Sequence, residues 1–165
     1  MTRLLASVSA AVVLAIASSA HAAEWGAIVP GESAQDAVRT RYGAPTRMAS
    51  QKVEGYDSPQ WVYEGPQAPR GFTRATFEFG ILTPKGYRPE LVRVIRLEPR
   101  PGIFTRTTVI NGWGVPTRVG RDKEADVFFY ADGLLVYFNK EGWLAETMIF
   151  TPPQRPAAAG APPKR

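Results

Sequence analysis

Two stretches of this chain repeat one pattern of apolar and polar positions. Each begins with a short run whose apolar residues have helical spacing, and continues with runs that read as half-buried strands. The first helix is predicted over about 34–42, with Ser33 as its N-cap, and it stops where Gly and Pro follow. The second is predicted from Thr105 or Thr107 through Trp113. The pattern therefore predicts two copies of one small unit.

Three strands follow each predicted helix. They are expected at 61–64, 75–79 and 91–97 in the first copy, and at 127–130, 134–138 and 144–150 in the second. The predicted fold class is α+β, with two tandem units that each pack a short helix on a three-stranded antiparallel meander. The first unit spans 23–98, the second spans 103–151, and 99–102 is the linker between them.

A hexapeptide marks the register of the two copies. Tyr-Gly-Ala-Pro-Thr-Arg at 42–47 recurs as Trp-Gly-Val-Pro-Thr-Arg at 113–118, 71 positions later. Recurrence within the same order of predicted elements indicates an internal repeat. Gly and Pro after a helix are ordinary helix-stop residues, so we interpret the hexapeptide as structural and not as a site.

Both ends of the chain differ in composition from the repeats. Residues 1–22 have the features of a signal peptide, with Arg3, an apolar run over 4–17 and a small-residue cleavage site that ends at Ala22. We expect export to the periplasm with cleavage after Ala22, and the alternative is an uncleaved anchor. The chain has no cysteine, so it is not predicted to be a lipoprotein. Residues 152–165 hold five prolines and no large apolar side chain, which predicts a disordered basic tail.

Composition narrows the chemistry that the mature protein can perform. The one histidine, His21, lies in the signal segment, and the chain has no cysteine. Ser-His and Cys-His nucleophilic catalysis and the usual zinc and copper sites are therefore excluded from the mature chain. The alternating acids over 122–126 lack the glycine and the terminal glutamate of an EF-hand loop, so we interpret them as a solvated loop. We predict no metal, no cofactor and no enzymatic activity.

The chain carries a net charge of +5, but its sequence does not indicate that this charge serves to bind nucleic acid. The basic residues do not cluster on one predicted face, so no binding of nucleic acid is expected. Part of the excess lies in the tail, which predicts a weak contact with anionic surfaces.

The second copy offers a candidate protein-binding surface. Asp132-Gly133 has the composition of a two-residue type I′ turn, which would place residue 130 opposite 135 and residue 128 opposite 137. One face of the meander would then be aromatic and amphipathic, as protein interfaces are. The candidate binding residues, two of them from the first copy, are Trp61, Tyr63, Phe128, Tyr130, Leu135 and Tyr137. The alternative is that this face is buried against the other copy.

The repeated motifs resemble those of the SmpA/OmlA (BamE-like) domain. The residues that carry the resemblance are Gly31-Glu32-Ser33, Val38, Gly43-Ala44-Pro45, Trp61-Val62-Tyr63 and Phe77-Glu78-Phe79, and in the second copy Val109, Gly114-Val115-Pro116, Phe128-Phe129-Tyr130 and Val136-Tyr137-Phe138. The tandem arrangement is similar to the β-lactamase-inhibitor-protein superfamily. The resemblance implies a non-enzymatic protein-binding module of the bacterial envelope. One branch supports outer-membrane β-barrel assembly, and another inhibits β-lactamases through a concave aromatic sheet surface.

The function predicted from the sequence is binding of an envelope or periplasmic protein, with a link to outer-membrane assembly or maintenance. Three alternatives stay open. They are an inhibitor of a periplasmic enzyme, a small envelope hydrolase that uses acidic residues, and a cell-wall or anionic-surface adaptor that uses the basic tail.

Overall fold

The structure, a computed structural model, describes residues 23–153. The predicted signal peptide and residues 154–165 of the predicted tail lie outside the described residues. No helix within the described range has the length and apolar composition needed to cross a membrane.

Two helices and eight strands make up the fold of residues 23–153. In chain order they are α1 (Gln35–Tyr42), β1 (Arg47–Val53), β2 (Tyr56–Glu64), β3 (Phe72–Thr83), β4 (Gly86–Pro99), α2 (Arg106–Trp113), β5 (Arg118–Asp122), β6 (Ala125–Phe129), β7 (Leu134–Phe138) and β8 (Ala145–Phe150). A short 3₁₀ turn, Gly65–Gln67, follows β2.

The strands form one antiparallel sheet, in the order β1-β2-β3-β4-β8-β7-β6-β5. The predicted fold class of two units, each a helix on a three-stranded meander, is therefore wrong. Each repeat contributes a helix and four strands, and the two meanders join edge to edge through β4 and β8. The joint is short, with the three residue pairs Ile95↔Phe150, Arg96↔Ile149 and Leu97↔Met148.

The prediction lacks β1 and β5 because both are edge strands. Six of the seven residues of β1 are exposed, and four of the five residues of β5 are exposed. A strand in that position buries neither face, so its sequence need not alternate between apolar and polar residues. The stretch 80–89, which lies between the predicted strands 75–79 and 91–97, instead extends β3 to Thr83 and starts β4 at Gly86.

The two helices begin in different ways. Thr105 caps α2 through a capping box, in which its hydroxyl accepts from the Thr108 N–H at 3.1 Å and the Thr108 hydroxyl accepts from the Thr105 N–H at 2.7 Å. Ala34, and not Ser33 as predicted, is the N-cap of α1. The Ser33 hydroxyl instead accepts from the Val29 N–H at 2.9 Å, which closes the turn before the helix.

Equivalent tyrosines fix the helix-stop turn in both repeats. The Tyr63 hydroxyl donates to the Gly43 carbonyl at 3.0 Å, and the Tyr130 hydroxyl donates to the Gly114 carbonyl at 3.1 Å. Both glycines have positive φ, +77° and +80°, where glycine is favoured. In each repeat, the hexapeptide thus supplies a glycine whose positive φ ends the helix. The carbonyl oxygen of the same glycine accepts a hydrogen bond from a tyrosine of the sheet.

The core is continuous across the two repeats. Val38 of α1 and Val109 of α2 are fully buried in the same cluster, which shows that both helices pack on the same face of the sheet. The largest fully buried side chains are Tyr63, Phe77, Phe79, Phe138, Phe150, Ile95, Leu97, Leu134 and Met148. Neither helix contributes a residue to the opposite face, which we call the open face.

Candidate functional site: the open face of the sheet

The β6–β7 hairpin has a different register from the predicted one. Phe128 pairs with Val136, and Phe129 pairs with Leu135. The loop holds three residues, 131–133, between the hydrogen-bonded Tyr130 and Leu134. The prediction that residue 130 lies opposite 135 and residue 128 opposite 137 is therefore wrong. A shift of one residue moves every side chain of a strand to the other face.

The structure does not bring the six predicted binding residues onto one surface. Trp61, Tyr63, Phe128 and Tyr130 belong to the buried core beneath the helices. Leu135 and Tyr137 lie on the open face and are half-buried. Only these two remain available to a partner.

The hydroxyls of the buried tyrosines find partners inside the repeats. Burial raises the pKa of Tyr63 and of Tyr130 above the usual tyrosine value, and the nearby Asp132 carboxylate adds to the rise for Tyr130. With their hydrogen bonds to Gly43 and Gly114, both groups are satisfied core residues. Each tyrosine is amphipathic because its ring packs in the core while its hydroxyl binds the helix-stop turn, and not because it lies at an interface.

A single row of cross-strand neighbours runs through all eight strands on the open face. Its members are, in order from β1 to β5, Arg47, Val62, Thr76, Arg96, Ile149, Leu135, Phe129 and Arg118. The two arginines of the repeated hexapeptide occupy its two ends. Followed inward from those ends, the row pairs equivalent residues of the two repeats: Val62 with Phe129, Thr76 with Leu135, and Arg96 with Ile149.

On the half of the open face that belongs to the first repeat, charged side chains form ion pairs with one another. Arg74 lies between two carboxylates, with Nε 2.9 Å from Glu64 and Nη1 3.1 Å from Glu98. These contacts, that with Glu64 foremost, raise the pKa of Arg74. Arg93 pairs with Glu78 at 2.5 Å. Most charges on this half are already matched within the chain.

The half that belongs to the second repeat is apolar. Phe129, Leu135, Tyr137 and Ile149 are half-buried neighbours on β6, β7 and β8, and we call these four residues the apolar patch. Tyr137 occupies the position of Glu78 in the first repeat, so a carboxylate in one copy is an aromatic ring in the other. A shallow groove runs from Tyr137 past Lys140 and Glu146 to the β5–β6 turn.

Two arginines flank the apolar patch. The Arg118 guanidinium lies over the Phe129 ring, 4.4 Å from its centre. That ring in turn covers Gly120, where an added Cβ would come within 2.9 Å of it. Arg96 lies at the other side of the patch, on β4. Both arginines are exposed, and neither has a carboxylate partner within residues 23–153.

The acidic residues of the stretch 122–126 lie in a tight turn or form ion pairs. Asp122 pairs with Ala125, so the predicted acidic loop is the tight β5–β6 turn, with Lys123 at φ +54°. Asp126 forms an ion pair with Arg106 at 3.1 Å. Within residues 23–153, no group of three or more His, Asp or Glu side chains is arranged to hold a metal ion.

The candidate residues from the sequence omit Phe129 and Ile149, and one local signal would have recovered Phe129. Ala131-Asp132-Gly133 is also the composition of a three-residue hairpin loop with glycine in its last position. Gly133 has φ +106°, as such a loop requires. That alternative gives the observed register and turns Phe129 to the open face with Leu135.

The comparisons with known proteins are sparse. No family of known proteins matches this sequence, and no curated protein does. Among solved structures, the crystal structure of a DUF4309 family protein (YjgB) from Bacillus subtilis is a distant structural neighbour, with a TM-score of 0.45 and 11% sequence identity. The alignment covers 76% of this chain and 82% of that one.

Proposed function

We propose that this protein is a non-enzymatic protein-binding module of the bacterial cell envelope that acts in the periplasm. The observation that carries the proposal is the apolar patch on a sheet face that neither helix covers. Aromatic and aliphatic side chains held half-buried on a rigid sheet are the usual anchors of protein interfaces. The partner would cover Phe129, Leu135, Tyr137 and Ile149.

The contrast between the two repeats supports the choice of this half. Both halves rest on the same core and the same strand order, so the fold alone does not require the patch to be apolar. At the four equivalent positions of the first repeat, Thr76 is small and polar, Glu78 is ion-paired, Arg96 is charged, and Val62 alone is apolar. Contiguous apolar residues on an otherwise polar sheet face mark an interaction site.

The sequence supports the proposal that the protein acts in the periplasm. The signal-peptide pattern over 1–22 favours export, and the absence of cysteine argues against lipid attachment. The resemblance to the SmpA/OmlA domain supports a role in outer-membrane assembly or maintenance.

Photocrosslinking in the periplasm tests this proposal. The photoreactive residue p-benzoylphenylalanine would replace Tyr137 on the open face and, in a matched control, the exposed Thr40 on α1. We expect a defined adduct with another envelope protein from position 137 and none from position 40. No adduct from position 137, or the same adducts from both positions, would sink the proposal.

A further inference from the structure

The apolar patch is flanked by charges that nothing in the described chain neutralises. Arg96 and Arg118 stand at its two sides, on β4 and β5, with β8, β7 and β6 between them. Four strand spacings separate β4 from β5, which is roughly 19 Å. Each guanidinium is exposed, and the apolar side chains lie between the two.

A partner that covers the patch would also cover these arginines in part. A guanidinium that loses water without gaining an acceptor is costly, and a carboxylate accepts from it in a bidentate geometry. Other arginines on this face already have that partner, as Arg74 has with Glu64 and Glu98. The guanidinium N–H donors of Arg96 and Arg118 are therefore available to an acceptor on a bound partner.

We propose that the segment bound at the apolar patch is a protein segment with an apolar centre and a carboxylate side chain at each end. The inference rests on the proposed function and names the class of partner. A span of roughly 19 Å corresponds to about six residues of extended chain or about thirteen residues of helix.

The surrounding charges favour a protein segment over an anionic lipid surface. A membrane would meet the whole open face, including the carboxylates of Glu64, Glu78 and Glu98. Those carboxylates are already paired with arginines, so a flat anionic surface would find there no free cation to bind, whereas a narrow segment across the second repeat can place one carboxylate at each unpaired guanidinium.

The first test is the composition of what is captured. The segment joined to p-benzoylphenylalanine at position 137 would be identified by mass spectrometry and synthesised as a peptide. We expect Asp or Glu on both sides of its apolar residues. A captured segment of another protein that lacks acidic residues would overturn the inference alone. An adduct only with lipid or with a second copy of this chain would overturn the proposed function with it. Absence of any adduct would overturn the proposed function as well.

The second test is the dependence of binding on the two arginines. The dissociation constant of that peptide would be measured by calorimetry for the mature protein and for Arg96→Gln and Arg118→Gln. We expect each substitution to raise it about tenfold, because each removes one charge-assisted contact. Arg118→Lys keeps the charge and should recover part of the loss. Arg70→Gln, at an exposed loop position far from the patch, is the control. Equal affinity of both Gln variants and the control would contradict the inference.

Discussion

Arg96 and Ile149 face each other across the joint between β4 and β8, and they occupy equivalent positions in the two repeats. Their neighbours Ile95 and Leu97 pair with Phe150 and Met148, which are equivalent to Leu97 and Ile95 in turn. The repeats are therefore related by a pseudo-two-fold axis that passes between Arg96 and Ile149, in the manner of an isologous dimer interface. The open face changes from charged to apolar at this axis.

The register of the β6–β7 hairpin predicts that its two faces respond differently to substitution. Phe128→Ser removes a core aromatic side chain that is 2% exposed and should lower the free energy of unfolding by about 3–5 kcal/mol. Tyr137→Ser and Leu135→Ser remove half-buried side chains and should cost about 1 kcal/mol each. Urea unfolding of the three variants measures the difference. Equal losses for Phe128→Ser and Tyr137→Ser would contradict the register described above.

The two tyrosine-to-glycine hydrogen bonds should contribute equally, because they are the same contact in each repeat. Tyr63→Phe and Tyr130→Phe each leave a carbonyl without its donor and should each lower the free energy of unfolding by about 0.5–1.5 kcal/mol. Chemical denaturation near neutral pH checks this. A loss at only one of the two sites would show that the repeats are not equivalent at the turn.

Alkaline pH should weaken the fold through the same tyrosines. Burial raises the pKa of Tyr63 and Tyr130 in the folded protein, so the unfolded chain ionises first. The stabilisation is complete below about pH 10, the pKa of an unperturbed tyrosine, and is lost as the pH rises through the folded value. The free energy of unfolding should therefore begin to fall as the pH approaches about 10 and keep falling toward the raised folded pKa values, and it should fall less steeply in the Tyr63→Phe, Tyr130→Phe double variant. An identical slope in both proteins would refute this origin.

Two glycines should respond to alanine with opposite signs. A Cβ at Gly133 would lie 2.1 Å from the Thr151 carbonyl oxygen, and Gly133 has φ +106°. Gly133→Ala should therefore lower the free energy of unfolding by about 1–3 kcal/mol. Gly112 lies within α2 with no atom near its added Cβ, so Gly112→Ala should raise it by about 0.5–1 kcal/mol. Thermal unfolding of both variants measures these changes. A Gly133→Ala protein as stable as the unsubstituted one would argue against the three-residue loop.

Part of this fold could be predicted from the sequence. The internal repeat, the two helices and the six inner strands were each indicated by a local signal, such as the Gly-x-Pro helix stop or the alternation in Phe77-Glu78-Phe79. The edge strands β1 and β5 left no such signal, since their exposed residues need no apolar alternation. The union of the two meanders into one sheet was not predictable either, because it rests on the three residue pairs between β4 and β8.

The candidate site was predictable only in part. The sequence identifies Leu135 and Tyr137, while Phe129 and Ile149 are not among its candidate binding residues. The error came from one turn: Asp132-Gly133 is compatible with a two-residue or a three-residue loop, and the choice exchanges the two faces of the hairpin. The buried tyrosines also made the site hard to predict, because a sequence does not show whether a tyrosine hydroxyl binds the Gly-x-Pro turn or lies at an interface.

The affinity of the captured partner for substituted open faces tests the central claim most directly. Leu135 and Thr76 occupy equivalent positions in the two halves, so Leu135→Ser and Thr76→Ser form a matched pair. Calorimetric titration of each variant with the partner captured at position 137 should show at least a tenfold loss for Leu135→Ser, since hot-spot truncations cost about 2 kcal/mol or more. Thr76→Ser should bind as the unsubstituted protein does, and both variants should stay folded. Unchanged affinity of Leu135→Ser, or equal losses for the two variants, would contradict the claim that the second repeat's open face is the binding surface.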